Sequence, residues 1–180
     1  MSKLAPNEIF DIFNATYPGR VHQQHHVPFG GAAGHIYFVL TCPTYQQLAQ
    51  ITPRSRNAEV GCYRINDAYI LTIGNTGVAS GRVIVPDESG RRAGIEEVEW
   101  IAHTHPLEQR SHDEAIAEGA GRADRAGLRR LTSLWRQERS VVVVCRGGRV
   151  VRDGIKEFTG VDWPSERSPD GRLWTPEPPG

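Results

Sequence analysis

The sequence has few cysteines and no motif that pairs them. Its three cysteines, Cys42, Cys62 and Cys145, are widely spaced, and no two of them form a CxxC pair. This spacing predicts neither a disulfide framework nor a zinc site built from thiolates. A reducing cytoplasm is therefore the simplest predicted location, although a domain exported by a secretion machine would have the same cysteine content.

Long apolar runs and an excess of one charge are also missing. Apolar runs such as residues 141–145 are far too short to cross a bilayer, and the N-terminal segment lacks the apolar core of a signal peptide. Lys plus Arg and Asp plus Glu both number 21, which gives a net charge of +0. We therefore expect neither a membrane nor nucleic acid as a partner.

What the sequence does contain is typical of one folded domain. It has 180 residues, of which 38% are hydrophobic and 23% are charged. Hydrophobic periodicity predicts helices over residues 7–17, 43–51, 111–119 and 124–137. It predicts strands over residues 35–41, 59–65, 68–73, 82–85, 98–105, 140–145 and 149–152. Residues 21–34 and 87–94 are predicted to be loops. This interleaving indicates a single α/β domain with a mixed central β-sheet flanked by helices.

The segment His103-Thr104-His105-Pro106 has the strongest chemical signal. On a strand, residues two apart point to the same face, so both imidazoles can bind one metal ion. Pro106 is expected to end the strand at that point. A catalytic zinc site needs about three protein ligands and one open position, so one more ligand is required.

Two aspartates compete to be that third ligand. Asp124 lies at the start of a predicted helix, one turn before Leu128, where the helix dipole stabilises a carboxylate. Asp113 is closer to His105, but it falls inside an apparent capping box formed by Ser111 and Glu114. We favour Asp124 and leave Asp113 as the alternative.

A hydrolytic zinc site also needs a base that removes a proton from the attacking water. Glu59, at the start of a predicted strand, is our candidate, and an ordinary surface acid is the alternative interpretation. Most of the other acids before the two histidines, among them Glu88 and Glu96, look like loop charge.

Together these residues resemble the JAB/MPN/JAMM metallopeptidases, whose pattern is a Glu, then His-x-His-Pro, then Ser-x-x-Asp. Residues 103–106 match in full, and Glu59 and Asp124 take the glutamate and aspartate positions. The resemblance covers roughly residues 43–153. It divides the chain into an N-terminal part (1–42), a metallopeptidase-like domain (43–160) and a proline-rich tail (161–180). It also implies a layering of sheet and helices like that of cytidine deaminases, although the Pro-Cys-x-x-Cys motif of zinc deaminases is absent.

The resemblance implies a function and a set of roles. His103, His105 and Asp124 would bind Zn²⁺, and Glu59 would be the general base. The substrate would be an isopeptide or peptide bond after the C-terminal tail of a ubiquitin-like protein, in a bacterial conjugation pathway. A domain of a toxin or effector system and a catalytically weak zinc-binding interaction module are the alternatives.

Two features depart from the family pattern. The stretch between His105 and Asp124 is longer than usual, and we interpret residues 107–120 as an insertion that bears a helix and shapes substrate access. The serine that normally stabilises the oxyanion falls on Gly121. Ser111, within the insertion, is a possible substitute.

Two further clusters have simpler interpretations. His22, His25 and His26 form a histidine-rich loop that could bind a metal, but a loop is less rigid than a strand. Four arginines on the helix that begins near Asp124 are expected to form a solvated basic edge. They are Arg122, Arg125, Arg129 and Arg130.

The choice of ligands can be tested by metal analysis. We expect about one zinc per chain in the wild-type protein, and His103→Ala and Asp124→Ala should each lose it because they remove a ligand. Asp113→Ala is the matched control and should keep the metal. Zinc retained in Asp124→Ala but lost in Asp113→Ala would show that the wrong aspartate was chosen.

Overall fold

A computed structural model describes residues 2–74, 86–108 and 120–161 of the chain. Within these ranges the protein is α/β, as expected, with four helices and an open, mixed sheet of seven strands. The helices are α1 (Pro6–Thr16), α2 (Tyr45–Arg54), α3 (Glu88–Ala93) and α4 (Arg122–Trp135). The strands are β1 (Val21–Gln23), β2 (Ile36–Val39), β3 (Val60–Ile65), β4 (Ala68–Ile73), β5 (Val98–Pro106), β6 (Arg139–Arg146) and β7 (Arg149–Thr159). No helix in these ranges is long and apolar enough to span a bilayer.

Several predicted elements need correction or fall outside these ranges. The loop predicted over residues 87–94 is wrong, because α3 occupies most of it: Asp87 accepts a hydrogen bond from the Ser89 N–H at 2.9 Å, and Gly94 ends the helix at φ +111°. The loop predicted over residues 21–34 is wrong at its start, where β1 pairs in parallel with β2. The strand predicted over 82–85, the helix predicted over 111–119 and nearly all of the C-terminal tail lie outside the described residues.

The second helix also begins later than predicted. Proline was expected in its first turn at Pro43, but Thr44 is the N-cap and α2 begins at Tyr45. The Thr44 hydroxyl accepts a hydrogen bond from the Gln47 N–H at 3.0 Å, and the Gln47 side chain accepts one from the Thr44 N–H. This reciprocal pair satisfies two backbone donors that a helix start leaves free.

The helices cover the two faces of the sheet. Helices α1 and α4 pack on one face, here called the α4 face, through residues such as Ile9, Leu128 and Leu131. Helix α2 packs on the opposite face through Leu48 and Ile51. The core is therefore two apolar layers separated by the sheet.

An irregularity in β5 decides which of its side chains reach the α4 face. Tyr63 of β3 pairs with Trp100 and Cys62 pairs with Ala102, so Ile101 is an extra residue on the β5 side of the ladder. Such a bulge interrupts the strict alternation of side chains. As a result Trp100 lies in the apolar layer of the α4 face and stacks on His103, while Ala102 lies in the opposite layer.

Strands β5 and β6 are parallel neighbours, with His103 opposite Val142 and His105 opposite Val144. Helix α4 connects them, so its N-terminal end lies near the carboxyl end of β5. Ligand-binding residues of α/β proteins commonly lie at this end of the strands.

The packing of α4 gives a stability prediction. Leu128 of α4 is fully buried, so Leu128→Ala should lower the free energy of unfolding by about 2–5 kcal/mol through lost burial and a cavity. Leu40→Ala is the matched control, because Leu40 is 65% exposed and its truncation should change stability by less than about 0.5 kcal/mol. Urea denaturation measures the free energy of unfolding of both variants. Equal losses would contradict the burial of Leu128 between α4 and the sheet.

Candidate metal centre

Three of the predicted ligands meet at the carboxyl end of β5. The Nε2 atoms of His103 and His105 lie 3.0 Å apart. The two carboxylate oxygens of Asp124 lie 3.1 Å from Nε2 of His103 and 3.2 Å from Nε2 of His105. Within the described residues these three side chains are the one group of at least three His, Cys, Asp or Glu residues that could hold a metal ion.

The spacing of these atoms fits a small tetrahedral cation. Bonds of about 2.0–2.1 Å at tetrahedral angles place neighbouring ligand atoms about 3.3 Å apart. The two nitrogen atoms are 3.0 Å apart, and each lies within 3.2 Å of a different oxygen of the Asp124 carboxylate, which is close to this value. A Ca²⁺ ion, with bonds of about 2.3–2.6 Å and oxygen ligands, would need wider spacing and different donors. The two imidazoles and the carboxylate could therefore hold a metal ion.

Helix capping holds Asp124 in place. Asp124 is the third residue of α4 and does not open the helix as predicted, because α4 begins at Arg122 with Gly121 as its N-cap. The Asp124 Oδ2 accepts a hydrogen bond from the Gly121 N–H at 3.0 Å. The side chain thus turns back over the helix end, where the dipole stabilises its charge.

The electrostatics of Asp124 show how strongly its surroundings favour the carboxylate. Burial by itself raises the pKa of Asp124, but the charge of His103 and the hydrogen bonds to His103 and His105 outweigh burial. The pKa of Asp124 is therefore held well below its usual range. A carboxyl group whose ionised form is favoured in this way is suited to binding a cation.

The imidazole of His103 is enclosed by aromatic rings. Trp100 stacks on it with ring centres 4.6 Å apart, and Phe158 meets it edge-on at 5.9 Å. Its side chain is only 3% exposed, and its Nδ1 has no hydrogen-bond partner among the described residues. The enclosure fixes the plane of the ring and keeps water from that side of the site.

Glu59 lies beside this group without being part of it. Its Oε1 is 3.6 Å from Nε2 of His105, and its side chain is 43% exposed, in contrast to the buried ligands. Glu59 was predicted to begin the strand, but it lies just before β3, which begins at Val60. The Glu59 carbonyl accepts a hydrogen bond from the Gly74 N–H at 2.7 Å. This bond holds the backbone of Glu59 next to the end of β4.

Thr104, the residue between the two histidines, connects Glu59 to β5. Its hydroxyl accepts a hydrogen bond from the Val60 N–H at 2.9 Å, and the neighbouring residues Gly61 and His103 pair across the two strands. The backbone next to Glu59 is therefore held by the same strand that presents the histidines. This role was not predicted from the sequence. The one signal for it is the hydroxyl of Thr104, which does not by itself indicate a partner on another strand.

The remaining predicted site residues are Ser111, Asp113 and Gly121. Ser111 and Asp113 lie outside the described residues. Gly121 is the N-cap of α4, and its N–H is already bonded to Asp124.

The histidine-rich loop does not bring its three histidines together. His22 instead pairs with His35, with 2.7 Å between the Nε2 of His22 and the Nδ1 of His35. The two rings stack, and His22 also stacks on Tyr37. At 2.7 Å this contact is a hydrogen bond and is too short for two ligands of one tetrahedral ion.

The prediction of a solvated basic edge on α4 is wrong for Arg125, which is buried and bonds to backbone carbonyls. Arg125 faces the end of β7, and this strand extends farther than predicted, to Thr159. Cys62 and Cys145 are both fully buried in the core.

The lowered pKa of Asp124 predicts an acid-dependent loss of stability in metal-free protein. A carboxyl whose folded pKa is depressed stabilises the fold above its unfolded pKa of about 3.9 and loses that contribution as pH falls below it. In urea denaturation of chelator-treated protein, the free energy of unfolding should fall more steeply between pH 6 and pH 3 for the wild type than for Asp124→Asn. The exposed acid Asp11 on α1 provides the control, and Asp11→Asn should follow the wild type. If the free energies of unfolding of the wild type and Asp124→Asn fell in parallel with pH, the lowered pKa of Asp124 would be contradicted.

Comparison of the chain with protein-family models, curated proteins and solved structures gives no match. For the residues that the structure describes, the chain thus has an α/β fold with a seven-stranded mixed sheet. On this fold, a largely buried group of His103, His105 and Asp124 could hold a metal ion.

Proposed function

We propose that this protein is a zinc-dependent hydrolase of isopeptide or peptide bonds, with the fold and mechanism of the JAB/MPN/JAMM metallopeptidases. The observation that supports it best is the convergence of His103, His105 and Asp124 on one point, with Glu59 at its exposed side. Convergence of residues from β5, from α4 and from the position just before β3 is what the sequence pattern requires of such an enzyme.

The ligand set favours zinc. Two imidazoles and one carboxylate leave a tetrahedral ion one open position, which is the arrangement of catalytic zinc sites. His103, His105 and Asp124 would hold the ion. When bound there, Zn²⁺ would supply Lewis acidity, lowering the pKa of a coordinated water towards about 7 and polarising a substrate carbonyl.

Glu59 has the position of a general base. It is not a member of the group that could hold the ion, yet its Oε1 lies 3.6 Å from Nε2 of His105. Its carboxylate can accept a proton from the attacking water and deliver that proton to the leaving amine nitrogen. Because it is about half exposed, it can reach both water and a substrate that enters from solvent.

The ubiquitin-like substrate follows from the family resemblance. An extended C-terminal tail, with the scissile carbonyl at its end, would enter on the exposed side next to Glu59. The absence of thiolate ligands and of a disulfide motif agrees with an enzyme that works in a bacterial cytoplasm.

One observation favours a catalytically weak zinc-binding interaction module as a second possibility. The family's serine is replaced by Gly121, which has no side-chain donor, and the Gly121 N–H is already bonded to Asp124. Loss of one oxyanion donor lowers the rate by about 100- to 1000-fold. A slow enzyme and an inactive binding module therefore share this structure and differ only in measured turnover.

The variant Glu59→Gln distinguishes these possibilities. It keeps the shape of the side chain but removes the proton acceptor, so turnover should fall by at least about 100-fold while bound zinc stays near one per chain. Turnover can be measured on ubiquitin-like proteins that carry a cleavable C-terminal extension.

The matched control is Glu97→Gln, since Glu97 is a half-exposed acid paired with Arg64 elsewhere on the sheet. It should leave both zinc content and turnover unchanged. Full activity in Glu59→Gln would show that another group is the base, and no turnover in the zinc-loaded wild type would favour the binding module.

A further inference from the structure

Arg125 follows Asp124 in α4 and reaches the end of β7. Its Nη1 donates hydrogen bonds to the carbonyl of Thr159 at 3.0 Å and to the carbonyl of Val161 at 3.2 Å. The residue is only 6% exposed. A guanidinium held between two carbonyls two residues apart restricts both the helix and the strand end.

A second arginine and a glycine extend this contact by one helical turn. Nη1 of Arg129 donates to the carbonyl of Gly160 at 2.8 Å. A side chain at Gly160 would lie 2.9 Å from the backbone nitrogen of Arg129, so the chain approaches α4 as closely as only glycine permits. Three consecutive residues, 159–161, are thus fixed to the first two turns of α4.

This contact bears on the metal centre because of where Asp124 lies. The Asp124 carboxylate contacts both histidines, and a shift of about 1 Å in the helix end would break one of these contacts. The Gly121 N–H fixes the carboxylate within the helix, but it cannot fix the helix relative to the sheet. Arg125 makes that connection at the residue next to the ligand.

We infer that Arg125 is a positioning residue for the metal centre: by bonding the end of β7 it holds the first turn of α4 so that Asp124 reaches both His103 and His105. This rests on the proposed function only in that the group binds zinc. Arg129 bonds the same segment, but it is four residues farther along α4, about 6 Å along the helix axis. Its influence on the ligand should therefore be weaker.

The test is a double-mutant cycle read out as zinc affinity. Arg125→Met should weaken zinc binding by about 10- to 100-fold, the usual effect of losing a residue that orients a ligand. In an Asp124→Asn background the same substitution should change affinity by less than about twofold, because the ligand through which Arg125 acts is gone. Titration calorimetry with Zn²⁺ measures the weaker affinities directly, and chelator competition measures the tighter ones.

Three controls separate positioning from a loss of folding. Arg129→Met removes the same type of bond one turn away and should leave affinity within about threefold of the wild type. Arg125→Gln keeps a neutral hydrogen-bond donor and should therefore be more stable than Arg125→Met. Its zinc affinity should lie between those of Arg125→Met and the wild type. In Co²⁺-substituted protein, Arg125→Met should also shift the visible d–d bands, which report ligand geometry and not stability.

The outcomes distinguish this inference from the proposed function. Wild-type protein that binds no zinc would overturn the proposed function and this role with it. Wild-type protein that binds zinc would overturn the role of Arg125 alone in any of three cases: if Arg125→Met binds equally well, if its effect persists in the Asp124→Asn background, or if Arg129→Met weakens binding just as much.

Discussion

The structure of the site depends on an unfavourable convergence of two nitrogen atoms and a carboxylate in a largely dry place. Two imidazole nitrogens 3.0 Å apart cannot both direct lone pairs at each other, so a proton or a cation must lie between them. The nearby Asp124 carboxylate, only 17% exposed, adds a negative charge that favours positive charge at this point, whether a proton or a metal ion carries it. The fold holds this arrangement together with a helix end, a backbone N–H and the aromatic enclosure of His103, so a metal ion could replace the proton without moving the side chains far.

The topology explains why the ligands come from these elements. A parallel β5–α4–β6 unit places the carboxyl end of a strand next to the N-terminal end of a helix. The strand end can present two side chains on one face, and the helix end stabilises a carboxylate that faces them. The bulge at Ile101 adds Trp100 to the same face, where it stacks on His103. One supersecondary unit thus supplies the ligands and much of the wall behind them.

The parts of this arrangement that could be predicted from sequence are those set by local periodicity. The shared face of His103 and His105 follows from the two-residue repeat of a strand, and Asp124 follows from helix-end chemistry. The bulge could not be predicted, because Glu99-Trp100-Ile101-Ala102 reads as ordinary alternation and the extra residue is fixed only by pairing with β3. Arg125 was misjudged for a related reason: its helical position is polar by type, and only the packing of β7 against α4 makes it buried. Asp87 and Gly94 cap the two ends of α3, and both residue types are typical of helix caps, but the segment was predicted to be a loop.

Burial across the site divides the chemistry between its two sides. Exposure falls steadily from Glu59 through Asp124 to His103, so the candidate ligands are protected from solvent while Glu59, the proposed base, is not. A general base must exchange protons with water after each cycle, which requires access, whereas ligands bind more tightly when their orientation is fixed and water is excluded. The hydrogen bond from the Val60 N–H to Thr104 is compatible with both requirements, because it fixes the backbone beside Glu59 to the strand that carries the two histidines and does not use the Glu59 carboxylate. In the proposed enzyme a substrate would then be selected by groups around the Glu59 side, since among the described residues Trp100 and Phe158 close the opposite side.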